Sequence, residues 1–228
     1  MAFYLSEQVG LDWTVHGEFV DLVLNGKYKG LYWLGEARLN RLQEKISVFE
    51  EKLYPDFTTG MNTNNCTAPD ESYSEVLDID SWVKFWFVNE IMNNGELGHP
   101  KSCYFTFDSA NNIFKAGPVW DFDWAALGQA SSCRLKGTIY YNALFKSPTF
   151  TARTKELWGE SYAHIDISTQ IEAMREQIYV AQQYDTMLWG AHTDPSGIVR
   201  ADFDAYVDFL KETLEKKLAV VNADINRL

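Results

Sequence analysis

No apolar run in the 228-residue chain approaches the roughly 18–20 residues that a membrane-crossing helix requires. Positive charge is scarce. Twenty Lys and Arg stand against 32 Asp and Glu, for a net charge of −12. An acidic surface without a basic stripe argues against a nucleic-acid partner and against binding to anionic membranes. Cysteine is limited to Cys66, Cys103 and Cys133, with no C-x-x-C pair. That excludes a zinc ribbon and a thioredoxin-type motif, and leaves at most one disulfide open. The four histidines (His16, His99, His164, His192) are too scattered for metal-ligand spacing. Met1-Ala2 runs directly into domain-like sequence with no signal peptide; a removed leader upstream is the alternative, and composition does not fix a compartment. Phosphate-loop, dinucleotide, nucleophile-elbow, H-E-x-x-H and H-R-D-L motifs are all missing, so no ordinary signature identifies an activity. What the chain has in quantity is packing material: 46% hydrophobic and 15% aromatic residues, with 8 Trp, enough for a folded domain with a substantial core.

The pattern along the chain is α+β. In residues 19–34 apolar and polar positions alternate around Asn25-Gly26, the pair that supplies the positive φ angles of a type I′ turn. Strands are expected at about 19–24 and 27–34. The period then changes. Leu39, Leu42, Ile46, Phe49 and Leu53 form one face of a helix over 38–54, and 55–75 read as a loop. A second helix begins at Asp78 or Asp80, both good N-caps. It is apolar on nearly every side, as a central buried helix is. Residues 93–102 form a polar loop, followed by a strand at 103–108, a turn at 109–112 and a strand at 113–120 interrupted at Gly117-Pro118. The remainder reads as helical: 143–161, one long pattern over 167–189, and a last helix over about 202–226. One domain over 1–228 accommodates all of this.

The sharpest chemical feature is Trp120-Asp121-Phe122-Asp123-Trp124. If the strand continues through it, both carboxylates point to one face. Their repulsion and desolvation would be relieved by a hard cation such as Mg²⁺, which takes one or two carboxylates and leaves positions for phosphate oxygens. The alternative is a pair of strand-end turn residues capping the next helix. The loop 93–102 carries Glu96, His99 and Lys101. Glu96 there suits a general base or second metal ligand, and Lys101 suits phosphate neutralisation; a solvated connector is the alternative. Glu90, inside the apolar helix, is expected to form a salt bridge or cap a loop. Phe114, Tyr28, Tyr32 and Trp33 are either core aromatics or platforms for an adenine ring.

The segments LNGKYKGLYWLGEA (24–37), LDIDSWVKFWFVNEIMNN (77–94), HPKSCYF (99–105), AGPVWDFDWAALG (116–128), LFKSPTFTARTKELW (144–158) and YDTMLW (184–189) together resemble the CotH (spore coat protein H) kinase family. The resemblance implies an atypical protein-kinase-like fold. Residues 1–37 would form a reduced β-rich N-lobe, lacking part of that lobe, and 38–228 a mainly helical C-lobe. It implies ATP with Mg²⁺ or Mn²⁺, phosphorylation of Ser or Thr on protein substrates, and an exported location in the periplasm, at the cell surface or secreted. Asp121 would bind the metal with Asp123 beside it, Glu96 would supply the second acidic role, and Phe114 and Lys101 would contact the nucleotide. The chain departs from the family in carrying Glu96 where many relatives have Asp, in starting late, and in running from Glu36 almost directly into Leu39. A pseudokinase or scaffold is the first alternative, and a glycan-associated protein with paired carboxylates and Trp platforms the second.

Overall fold

The computed structural model describes residues 1–36, 68–69, 71–98, 102–123, 126–128, 131–138 and 140–228. The helix expected over 38–54, the junction after Glu36, Cys66, His99 and Lys101 lie outside the described residues. Helix α1 (Ala2–Gln8) precedes an antiparallel hairpin of β1 (Gly17–Leu24) and β2 (Lys27–Gly35). Next come α2 (Ile79–Ile91), a second antiparallel pair of β3 (Phe105–Asp108) and β4 (Ile113–Ala116), and the helices α3 (Tyr141–Leu144), α4 (Pro148–Ser161), α5 (Ile167–Ile178), α6 (Ala181–Trp189) and α7 (Phe203–Ile225). The α+β expectation holds.

The first hairpin forms where the sequence places it. Asn25 and Gly26 take φ values of +53° and +72°, and Leu24 pairs with Lys27 across the two-residue loop. Gly30, at φ +122°, lets α6 approach, because a side chain there would overlap Asp185 and the Trp189 ring. Asp185 Oδ1 accepts a hydrogen bond from Leu31 N at 2.8 Å, tying α6 to the β2 edge. That contact explains one departure. The single helical pattern over 167–189 is divided at Tyr179-Val180 into α5 and α6. The two halves have different partners, α5 packing on α7 and α6 on β2, and no breaker residue announces the division.

Helix α2 is the centre of the molecule. Asp78 caps it by accepting from Ser81 N at 2.8 Å, while Asp80 instead forms a two-pronged pair with Arg153 of α4, both contacts at 2.7 Å. Ten of its 13 residues are buried, as its all-round apolar pattern predicts. Its Trp82 stacks on Phe105 of β3 with centroids 4.7 Å apart and donates to Phe114 O. The second hairpin is anchored here too. Phe114 N donates to Val76 O, Asp78 N to Phe114 O, and Ala116 N to Ser81 Oγ. The start of α2 and the end of β4 are thereby held together, and the chain leaving β4 carries Asp121.

Candidate functional site

After Ile91 the chain turns back through Asn93, at φ +52°, and Asn94 organises the turn beyond it. Asn94 N donates to Asn89 O at 2.8 Å, and its Nδ2 donates to Asn89 Oδ1 at 3.1 Å. Asn89 is fixed in turn by donating to Phe85 O. The Asn94 amide then reaches in two directions: Oδ1 accepts Glu96 N at 3.1 Å, and Nδ2 reaches Asp121 O at 3.5 Å. One buried side chain thus joins the turn carrying Glu96 to the backbone of Asp121. Glu96 lies in the 3-10 turn Gly95–Gly98 and is 6% exposed. Among the described residues its carboxylate accepts no hydrogen bond. Its charge is felt at Cys103, whose thiol is pushed up to about 12 by burial first and Glu96 second.

Asp121 sits at φ +62°, a left-handed conformation that Asp tolerates better than most residues. Ser102 Oγ donates to its Oδ2 at 2.5 Å, the short distance expected of a hydroxyl on a carboxylate. The expected strand over 113–120 stops at Ala116, so Asp121 and Asp123 do not share one strand face. Pro118 has no N–H for a ladder, and the left-handed Asp121 turns the backbone away from extended geometry. Asp121 is half-buried and Asp123 is exposed beside it. Phe114 is not brought to the site. It is 2% exposed, packed 4.8 Å from the Phe107 ring centroid, and offers no face to a base. A different aromatic group lies beside the motif: Phe3 stacks on Trp33 at 4.7 Å, and Trp120 is 6.4 Å from Phe3.

The sequence model of the CotH kinase protein family matches residues 40–221, well over half of the chain. The chain belongs to the CotH kinase family. No curated protein matches it. The matched stretch contains Asn94, Glu96 and Asp121, the three residues that the geometry joins. Among the described residues no three His, Cys, Asp or Glu side chains converge as a metal cluster. The CotH site nonetheless fits Mg²⁺ or Mn²⁺ in donor chemistry. Asp121 and Asp123 carry hard carboxylate oxygens, Glu96 is a further carboxylate at 6% exposure, and Mg²⁺ commonly keeps water and phosphate in its remaining positions.

Sequence reasoning missed Asn89, Asn94 and Ser102, whose roles depend on contacts no local pattern displays. It also missed Lys217. Glu90 does what was expected of it, accepting Arg134 N at 3.2 Å and Leu135 N at 2.8 Å as a loop cap and pairing with Lys217 Nζ at 2.6 Å. The signal for Lys217 was legible: a charge between Leu214 and Val221 on the apolar face of the last helix.

Proposed function

We propose that this CotH-family chain transfers the γ-phosphoryl group of ATP to a Ser or Thr hydroxyl of an exported or surface protein, in a kinase-like fold. The observation that carries this reading is the Asn94 bridge, which ties the turn carrying the buried Glu96 to the backbone of Asp121, whose carboxylate Ser102 holds. ATP with Mg²⁺ or Mn²⁺ supplies the transferable group and the charge neutralisation that this chemistry mostly needs. Asp121 is the first metal ligand, and Asp123 a second ligand or an orienting group. Glu96 orients the acceptor hydroxyl and takes its proton as the new P–O bond forms and the bond to the leaving ADP oxygen breaks. Lys101 offsets phosphate charge. The nucleoside is assigned to Trp120 and a cavity of about 250 Å³ lined by Phe3, Phe19 and Trp33, in place of Phe114.

One observation favours a second reading. Glu96 is nearly covered, so a base that must meet an acceptor hydroxyl is hard to reach. A nucleotide-binding pseudokinase would show that trait. Melting temperature decides between these readings, measured with ATP and either metal for wild type and Asp121→Ala, together with release of ADP in the presence of a mixed protein acceptor. Ligand at about 100 times its dissociation constant adds roughly 2.7 kcal/mol, or about 5–10 °C for a chain of this size. A metal-dependent rise lost in Asp121→Ala, with ADP release, is the expected result. A rise without transfer establishes the pseudokinase, and no rise in folded protein overturns both.

A further inference from the structure

Behind the site lies a buried charge network that the proposed chemistry does not use. Lys217 of α7 is 0% exposed, and so is Glu90 of α2, which stands 127 residues earlier. Lys217 Nζ donates to Glu90 Oε1 at 2.6 Å, to Ser132 O at 2.6 Å and to Asn93 Oδ1 at 3.4 Å. Asn93 Oδ1 also accepts from Arg134 Nε at 2.9 Å, and Asn93 O accepts from an Arg134 guanidinium nitrogen at 3.0 Å. Both carbonyl oxygens of Asn93, side chain and backbone, are therefore met by a cation. Met92 O takes Leu127 N at 2.8 Å, so the chain beyond Asp121 and Asp123 is fastened to the same turn.

We propose that Lys217 is a positioning residue: through Glu90 and Asn93 it holds the Asn93-Asn94 turn, and through that turn the placement of Glu96 and Asp121. The two asparagines divide the work. Asn93 faces the buried cations, and Asn94 faces Glu96 and Asp121. A turn with a left-handed residue is held by its hydrogen bonds rather than by backbone preference, so losing one side of the grip moves the other. Lys217 is fully buried, so its role is to position other groups rather than to meet nucleotide or acceptor. Its effect on transfer rests on the proposed function, while its hold on the turn does not.

The test compares wild type with Lys217→Met, Lys217→Arg and the double variant Glu90→Gln/Lys217→Met, which leaves no unpaired buried charge if the single variant fails to fold. Amide hydrogen exchange reads the turn directly. In the double variant, residues 93–98 are expected to exchange at least tenfold faster while the middle of α2 is unchanged. Steady-state transfer of phosphate from ATP is expected to fall at least tenfold in kcat, with KM for ATP within threefold and partial recovery in Lys217→Arg. Introducing the double variant into a Glu96→Gln background should cause no further loss, because a group that acts through Glu96 has nothing left to position. Unchanged exchange at 93–98 overturns the inference whatever the activity does. Faster exchange with additive kinetic losses overturns the positioning of Glu96. Faster exchange in a protein whose wild type transfers no phosphate overturns the catalytic half together with the proposed function, and supports the hold on the turn alone.

Discussion

A partly buried thiol that also feels a nearby carboxylate is held from ionising by two effects, and Cys103 and Cys133 are both in that position. Burial leads in each case, with Glu96 adding to it at Cys103 and Glu90 and Asp224 adding to it at Cys133. Each thiol is pushed up to about 12. At about pH 8 the thiolate fraction is then on the order of one in ten thousand, and the thiolate is the species that reacts. In a Cys66→Ser background, a thiol reagent at about pH 8 is expected to label neither cysteine while the protein is native, and both in strong denaturant. Rapid native labelling of Cys103 would place Glu96 and its pocket in water. The same residue-scale physics makes Asn94 indispensable: an amide alone among side chains offers both an acceptor for Glu96 N and donors for Asn89 and Asp121.

At the scale of elements, α2 is defined by what closes its start. Asp78 caps the backbone, and Asp80 is held below the usual carboxylate range chiefly by the Arg153 hydrogen bond. A depressed carboxylate stabilises the fold above its ordinary value, near 4, and loses that contribution as pH falls through its lower folded value. The pair is partly exposed, so its worth is about 1 kcal/mol or less. Arg153→Met is therefore expected to be less stable than wild type by about that amount at neutral pH, with the gap closing below roughly pH 4. Urea titrations at several pH values check this, and a gap that widens on acidification would contradict it. The division of α5 from α6 belongs to the same scale. Both halves carry helical periodicity, yet one faces α7 and the other β2, and periodicity cannot state that a helix changes partner.

For the whole molecule, the Lys217–Glu90 pair is the tie between the last helix and the central one. Removing one member of a fully buried pair strands the other in a medium that solvates it poorly. Lys217→Met is expected to cost about 3–5 kcal/mol in chemical denaturation. Glu90→Gln/Lys217→Met is expected to recover part of that loss, since neither charge remains, while the amide oxygen keeps one of the two backbone N–H groups of residues 134 and 135 and the amide nitrogen leaves the other unpaired. Equal losses in the two variants would mean that the contact matters for shape rather than charge. The large exposed apolar residues are also distributed at this scale. Among the described residues, apart from Tyr162, they fall in three segments: Leu22, Val23, Leu24, Tyr32 and Leu34 on the hairpin, Tyr179 to Trp189 just before and along α6, and Ile198 with Val199. Two of these segments, β2 and α6, are packed against each other.

Family membership, the hairpin around Asn25-Gly26, the capped and wholly buried α2, and the apolar stripe of α7 were all written locally. A turn pair, a cap and a periodicity each act within a few residues, and that is why they are legible in one dimension. Candidate acids were legible too, because Glu96 and Asp121 stand in a polar loop and in an aromatic-flanked acidic motif. Tertiary structure alone decided the rest. Phe114 could be a platform or core by sequence, and the ring is core because Val76 and Asp78 bind its backbone on both sides. Asp121 and Asp123 could share a strand face by spacing, but a left-handed Asp121 beyond Pro118 ends that geometry. Asn94 ties the Glu96 turn to the Asp121 backbone, and Lys217 reaches Glu90 because α7 folds back across α2. Periodicity reports which face of an element is buried, whereas the partner across that face is chosen by the packing of the whole chain.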